Sequence, residues 1–140
     1  MAQTKRYVDV NVFVYWLGNN PTFGETARKW IDEIENSPSG GYVTSSLSLY
    51  EALVSLAGLA NKTLNDYEFV ESVIKALNGI KGLMIEPITS ADYTTAVDLM
   101  GECGLDYEDS LHLAVAIRTG TGEVVSNDKH FSSTPLKRSY

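Results

Sequence analysis

Residues Arg6 to Trp16 read RYVDVNVFVYW, and one aspartate in this run frames the reading of the whole chain. The segment opens as a buried strand, with Tyr7, Val8 and Val10 in RYVDV, and continues apolar through Val12 and Phe13. Asp9 stands in the middle of it. A carboxylate taken into a core without a partner costs several kcal/mol, a large share of a domain's stability. Two roles fit. Asp9 either caps a helix beginning near Asn11 or Val12, or it meets something positive.

Outward from this stretch, short apolar strands alternate with helices. A helix is expected over TFGETARKWIDEIEN, with Trp30, Ile31 and Ile34 on one side. A strand YVTS follows the loop SPSGG, and the helix SLSLYEALVSLAGLA follows behind a serine cap. LNDYEFVESVIKALNGI carries Phe69, Val70, Val73, Ile74 and Leu77 at helical spacing and stops at Gly79. LMIEPI is a strand, and TSADYTTAVDLMGEC is a helix capped by Thr89 or Ser90 and stopped by Gly104. DYEDSLHLAVAIRTG is a last helix, closed by Gly120, and EVVSND a last strong strand. The tail after His130 is short and polar, and a further edge strand around Leu136 is expected to be poor or absent. This alternation implies a parallel sheet covered on both faces, with sites beyond the carboxyl ends of the strands, where Asp9 and Asp128 fall.

Composition narrows the function. The 140 residues suit one domain with a real core, and 44% hydrophobic with 21% charged residues is ordinary for a globular protein. No apolar run is long enough to span a membrane and no export signal opens the chain, so a cytoplasmic protein without a membrane role is expected. The single cysteine, Cys103, packs as a small apolar group near a helix end. Eleven basic against eighteen acidic residues leave a net charge of −7, which argues against binding nucleic acid through a broadly basic surface. It allows an acidic pocket completed by cations.

Four acids stand where such a pocket would need them. Glu51 shares an apolar helix stripe with Leu47 and Val54; the alternative is a head group reaching solvent from the stripe's edge. Asp106 and Asp109 open a helix as N-cap and N3, and capping alone would explain them; Glu108 reads as a solvated first-turn acid. Asp128 follows a strand, where turn chemistry also favours Asp. Converging carboxylates without basic partners repel one another, and a hard divalent cation such as Mg²⁺ or Mn²⁺ would resolve that. His112 is read as a helix-surface residue or a support behind the pocket, and His130 as a loop residue. Motifs for zincins, P-loops, redox dithiols and hydrolase elbows are absent.

In order along the chain, YVDVNVFVYWL, SLYEAL, GLDYEDSLHLAVAIRTG and VVSNDKHF resemble the PIN domain, and more closely the toxin component of VapBC-type toxin–antitoxin pairs. The resemblance covers nearly the whole chain and implies a single PIN-like nuclease domain over residues 1–140. It implies a three-layer α/β/α sandwich around a parallel sheet of four to five strands. It also implies a metal-dependent endoribonuclease that uses Mg²⁺ or Mn²⁺, acts on RNA, forms a homodimer and is blocked by a cognate antitoxin. The family's acids fall on Asp9, Glu51, Asp109 and Asp128; Asn11 and Ser126 fall on its small polar positions, and Asp106 on a variable acid. Lys5, Arg6, Arg118, Lys129, Lys137 and Arg138 are the candidate phosphate contacts. Two other functions fit the acids less fully: a degenerate PIN-like interaction module, and an aspartyl-phosphate phosphotransfer domain with Asp9 as nucleophile.

Overall fold

The computed structural model describes residues 5–140. Five strands form one parallel sheet: β1 (Lys5–Val8), β2 (Tyr42–Ser45), β3 (Leu83–Glu86), β4 (Thr121–Val125) and β5 (Lys137–Ser139), in the spatial order β3-β2-β1-β4-β5. Six α-helices connect them: α1 (Val10–Leu17), α2 (Gly24–Glu35), α3 (Ser46–Leu59), α4 (Tyr67–Asn78), α5 (Ser90–Cys103) and α6 (Tyr107–Arg118). The expected three-layer α/β/α sandwich is therefore present, at the upper end of the strand count. The final strand, expected to be poor or absent, exists: Glu123, Val124 and Val125 of β4 pair with Lys137, Arg138 and Ser139. Tyr140 helps hold it in place, its hydroxyl donating to the carbonyl of Phe23 at 3.0 Å.

The strand period of two divides the core. Val8 and Val125 face a cluster built from α1 to α4, with Phe13, Ile31, Ile34, Leu56 and Leu77. Their neighbours Tyr7 and Val124 face the opposite cluster, with Leu99, Leu105, Leu113, Val115 and Phe131. The chain moves outward along one edge through β2 and β3 with α1–α4 on one face. It then returns to β4 beside β1 with α5 and α6 on the other. The strand order thus reverses between β1 and β4, the place where open parallel sheets form a crevice at their carboxyl ends.

Local chemistry sets most boundaries. α1 starts earlier than expected, at Val10, because Asp9 itself leaves the strand and caps it. Thr89 rather than Ser90 caps α5, in a reciprocal box with Asp92. Gly82, which the sequence reading passed over, sits at φ +82°; a Cβ there would lie 2.3 Å from the Ile34 carbonyl oxygen, so only glycine fits between the end of α2 and β3. Cys103 is the last residue of α5 and packs beside the second cluster, as expected. No described helix is long and apolar enough to cross a membrane.

Asp92 is buried at 3% exposure and receives two bonds from Arg118, Nε to Oδ1 at 2.9 Å and Nη2 to Oδ2 at 3.0 Å, which lock α5 to the end of α6. Burial pushes this carboxyl up, but Arg118 and the Thr89 bonds more than offset it and hold Asp92 below its usual 3.8. The contribution is therefore whole above that range and is lost as pH falls through the depressed value. Arg118→Met should cost about 1–3 kcal/mol at pH 7, less than a fully buried broken pair because the guanidinium is 36% exposed. Urea midpoints against pH check both signs: the gap to wild type should narrow as pH falls below 3.8.

Candidate active site

The crevice between the ends of β1 and β4 is an open cleft of ≈ 480 Å³ lined by Asp9, Asn11, Glu51, Glu108, Asp109, His112 and Asp128. Asp9 is 3% exposed. Its backbone N–H continues the ladder to the Val125 carbonyl at 3.0 Å. Its Oδ1 accepts from the Val10 amide at 2.8 Å, and its Oδ2 from the Ser126 hydroxyl at 2.6 Å. Asp9 therefore caps α1, as the first of its two readings had it, and it also lines the cleft. Burial pushes its carboxyl above the usual range, against the nearby His112 charge and the Ser126 and Val10 bonds.

Ser126 is fully buried and ties two acids together. While its hydroxyl donates to Asp9, its oxygen accepts the Asp128 amide at 3.0 Å. Asp128 then opens a 3₁₀ turn, Lys129–Ser133, and accepts from the His130 amide at 2.9 Å. Across the cleft, Asp106 caps α6 and accepts the Asp109 amide at 2.8 Å, as the capping pattern predicts. That leaves the Asp109 carboxylate free to face the site. Burial pushes Asp109 up to about 7, with Asp106, Asp128 and Asp9 adding to the rise and His112 opposing it.

Asp109, Asp128 and His130 can bring one ligand atom each within 4.8 Å of one another. His130, read from sequence as a loop residue, lies in the 3₁₀ turn, and its Nδ1 is 3.0 Å from the Asp128 carboxylate. Nothing in the local sequence marks it; the turn after Asp128 brings it round.

Of the two readings of His112, the surface one fails and the support behind the pocket fits. It is not on the helix surface: it is 1% exposed, its Nδ1 lies 2.6 Å from the Tyr7 hydroxyl, and its Nε2 meets Glu51 Oε1. Burial opposes a charged imidazole, but the Tyr7 oxygen, Glu51 and Asp9 outweigh it and hold His112 well above the ordinary histidine range. Burial likewise raises Glu51, and His112 more than reverses that, leaving Glu51 below its usual value. The acids therefore do have a basic partner, one the sequence placed a single turn from Asp109. Glu51 is not the solvent-reaching edge residue of the alternative reading, since its side chain is 17% exposed and paired. Glu108, read as simply solvated, is exposed but lies against Glu51, whose charge pushes it up.

Of the six candidate phosphate contacts, four are misplaced or engaged. Arg6 donates to Glu123 at 2.9 Å and to the Tyr42 hydroxyl at 2.7 Å, and Arg118 holds Asp92. Lys5 and Lys137 begin their strands, at the end of the sheet away from the cleft. Lys129 directly follows Asp128, and Arg138 donates to the Ser126 carbonyl at 3.3 Å, so these two stand beside the site.

Residues 6–137 match the family model described as PIN domain. The chain belongs to the PIN domain family. Among solved structures, this PIN domain is similar to Mycobacterium tuberculosis VapC20, described as a sarcin-ricin loop cleaving toxin, with 14% identity, TM-score 0.72, and coverage of 94% of this chain and 98% of that one. It is also similar to a toxin–antitoxin complex from Klebsiella pneumoniae, with 18% identity, TM-score 0.68 and coverage of 95% and 99%. VapBC2 from Rickettsia felis, bound to a promoter DNA fragment, shows 17% identity, TM-score 0.67 and coverage of 97% and 98%. At these identities the likeness is one of fold. No curated protein matches the PIN domain chain by sequence.

The raised Asp109 carboxyl has a measurable consequence. Between its unfolded value near 3.8 and about 7, the metal-free native state holds a proton that the unfolded chain has released, so this group lowers stability as pH rises through that window. Asp109→Asn, which keeps the fold's amide contact to Asp106, should remove this slope. Urea titrations in EDTA from pH 4 to pH 8 check it: the variant should overtake wild type toward neutral pH.

Proposed function

We propose that this PIN domain is a metal-dependent endoribonuclease acting in the cytoplasm, the toxin of a VapBC-type pair, built as one nuclease domain over residues 1–140. The observation that carries the reading is the gathering of Asp9, Asp109 and Asp128 around one cleft at the β1–β4 reversal, where burial first, and then the neighbouring acids, raise Asp109 despite the nearby His112. One buried imidazole does not balance that charge, and a divalent cation would. The donor set is hard oxygen, which suits Mg²⁺ or Mn²⁺. Asp9, Asp109 and Asp128 would hold the ion, with Glu51 reaching it from α3. A bound divalent ion supplies a water of lowered pKa and charge stabilisation for phosphodiester hydrolysis.

The chain's own residues do the rest. Ser126 fixes the direction of Asp9 and the start of the Asp128 turn with one hydroxyl. Asp109, its amide held by the Asp106 cap, would present its carboxylate to the ion from the first turn of α6. Asn11 lines the rim and would orient a carboxylate or water. Asp106 serves Asp109 as a cap and stays out of the ligand set. Lys129 and Arg138 give the substrate backbone its nearest positive charge. The likeness to VapC20, a toxin that cleaves the sarcin-ricin loop, supports RNA as the substrate class.

The aspartyl-phosphate reading loses support from the site. Asp9 is buried with both carboxylate oxygens bonded, and no lysine or arginine pairs with it among the described residues. The degenerate-module reading differs from ours in predicting no metal uptake and no cleavage. RNA cleavage with Mg²⁺ or Mn²⁺, against an EDTA control, decides between them. Asp9→Asn should stay folded and lose the metal-dependent cleavage, and Asp109→Asn should weaken Mn²⁺ binding far more than Asp106→Asn. Retained cleavage in Asp9→Asn, or the reverse ranking, would place the site elsewhere.

An antitoxin protein is the proposed partner, supported by the toxin–antitoxin complexes among the similar structures. A homodimer is proposed as well. Leu53, Leu56, Val73 and Leu77 of the two helices are buried in the core, while Val54, Leu59 and Leu64 remain 44%, 70% and 44% exposed. Sedimentation equilibrium at micromolar concentration should give twice the chain mass of 15.4 kDa.

A further inference from the structure

Tyr7 has no part in the acid pattern, yet its hydroxyl is the start of a connected path into the cleft. It lies on β1, two residues before Asp9, with its ring in the α5–α6 core beside Leu113 and Phe131. Both Tyr7 and His112 are 1% exposed, so neither the phenol oxygen nor the imidazole can exchange its partner for water. The Tyr7 hydroxyl meets His112 Nδ1 at 2.6 Å, and Nε2 on the far side of the ring meets Glu51 Oε1. Both ring nitrogens are thereby engaged, and the ring has no freedom to flip or tilt.

A polar pair kept only to satisfy buried atoms would close on itself inside the core. This one ends on a carboxylate that lines the cleft. It also joins three elements from both layers: β1, α6 on one face and α3 on the other. Glu51 shares the cleft-facing side of α3 with Leu47, Tyr50, Val54 and Ser55 and meets the exposed acid Glu108, so His112 is its one buried and basic partner among the described residues. We propose that Tyr7 and His112 are positioning residues that hold the Glu51 carboxylate in place for the divalent ion. The proposal rests on the metal-site reading given above. It adds to it two residues outside the acid pattern.

Mn²⁺ titration by calorimetry, on full-length protein checked for folding by circular dichroism, tests this without any RNA. His112→Leu should weaken Mn²⁺ binding by about 10- to 100-fold, the usual loss when a partner behind a ligand is removed. His112→Gln should recover most of that, because its amide can donate to Glu51 from a similar reach. Tyr7→Phe should weaken binding by a smaller factor, since it frees the ring without removing it. His112→Leu combined with Glu51→Gln should bind no more weakly than Glu51→Gln alone, because His112 acts through Glu51. Wild-type Mn²⁺ affinity in folded His112→Leu overturns the proposal; so does wild-type affinity in Tyr7→Phe, should His112→Leu fail to fold. A loss that His112→Gln does not restore also overturns it, since general core damage would look that way. Wild-type protein that takes up no Mn²⁺ is a separate failure, one that removes the metal reading itself and this proposal with it.

Discussion

One hydroxyl holds the cleft together. Ser126 Oγ donates to Asp9 and accepts the Asp128 amide, so a residue with no charge sets the separation and direction of two charged ones. It can do so because β1 and β4 run parallel side by side, with Val8 opposite Val125, and both strands end at the same level. The reversal of strand order at this pair leaves a gap above it, and α6 enters the gap with Asp109 in its first turn. Position in the fold and chemistry of the site thus follow from one register. A slip of one residue in the β1–β4 pairing would turn Asp9 toward the other face and separate it from Ser126.

Electrostatics within the cleft divides into two groups. Asp9 and Asp109 are both raised, by burial first and by neighbouring acids after it, while Glu51, raised by burial, is brought below its usual value by His112. His112 belongs to both, opposing the rise of Asp9 and Asp109 and lowering Glu51. A protein with net charge −7 has placed its one buried imidazole at the centre of its most acidic crevice. The basic residues, by contrast, are largely spent on structure: Arg6 on Glu123, Arg118 on Asp92. That distribution leaves Lys129 and Arg138 as the positive charges beside the cleft.

Much of this was legible beforehand where local rules act alone. Periodicity located the strands and most helices, and the caps at Thr89, Asp106 and Gly104 follow from side-chain chemistry within a few residues. The acids were legible as a set because each stood at the end of an element whose geometry was already implied. What local rules miss is what distant segments bring. Tyr7 and His112 are 105 positions apart, and only the packing of β1 against α6 makes them neighbours. A histidine one turn after a first-turn aspartate reads as surface until the sheet is laid beneath it. Gly82 is silent for the same reason, since the carbonyl that excludes a side chain there belongs to Ile34 in α2. The last strand was under-read because three residues, Lys137 to Ser139, carry too little pattern without their partner β4.

The bond between Asp9 and Ser126 spans 117 positions, and that distance has a temporal meaning. During synthesis Asp9 emerges well over a hundred residues before Ser126, which directly follows β4. Contacts of such long sequence separation form late, after the loop they close has been ordered. Until β4 inserts beside β1, Asp9 has no hydroxyl partner and Asp128 has no fixed place, so the cleft does not exist in any shorter nascent chain. Whatever chemistry the cleft performs therefore waits until β4 has left the ribosome and paired with β1.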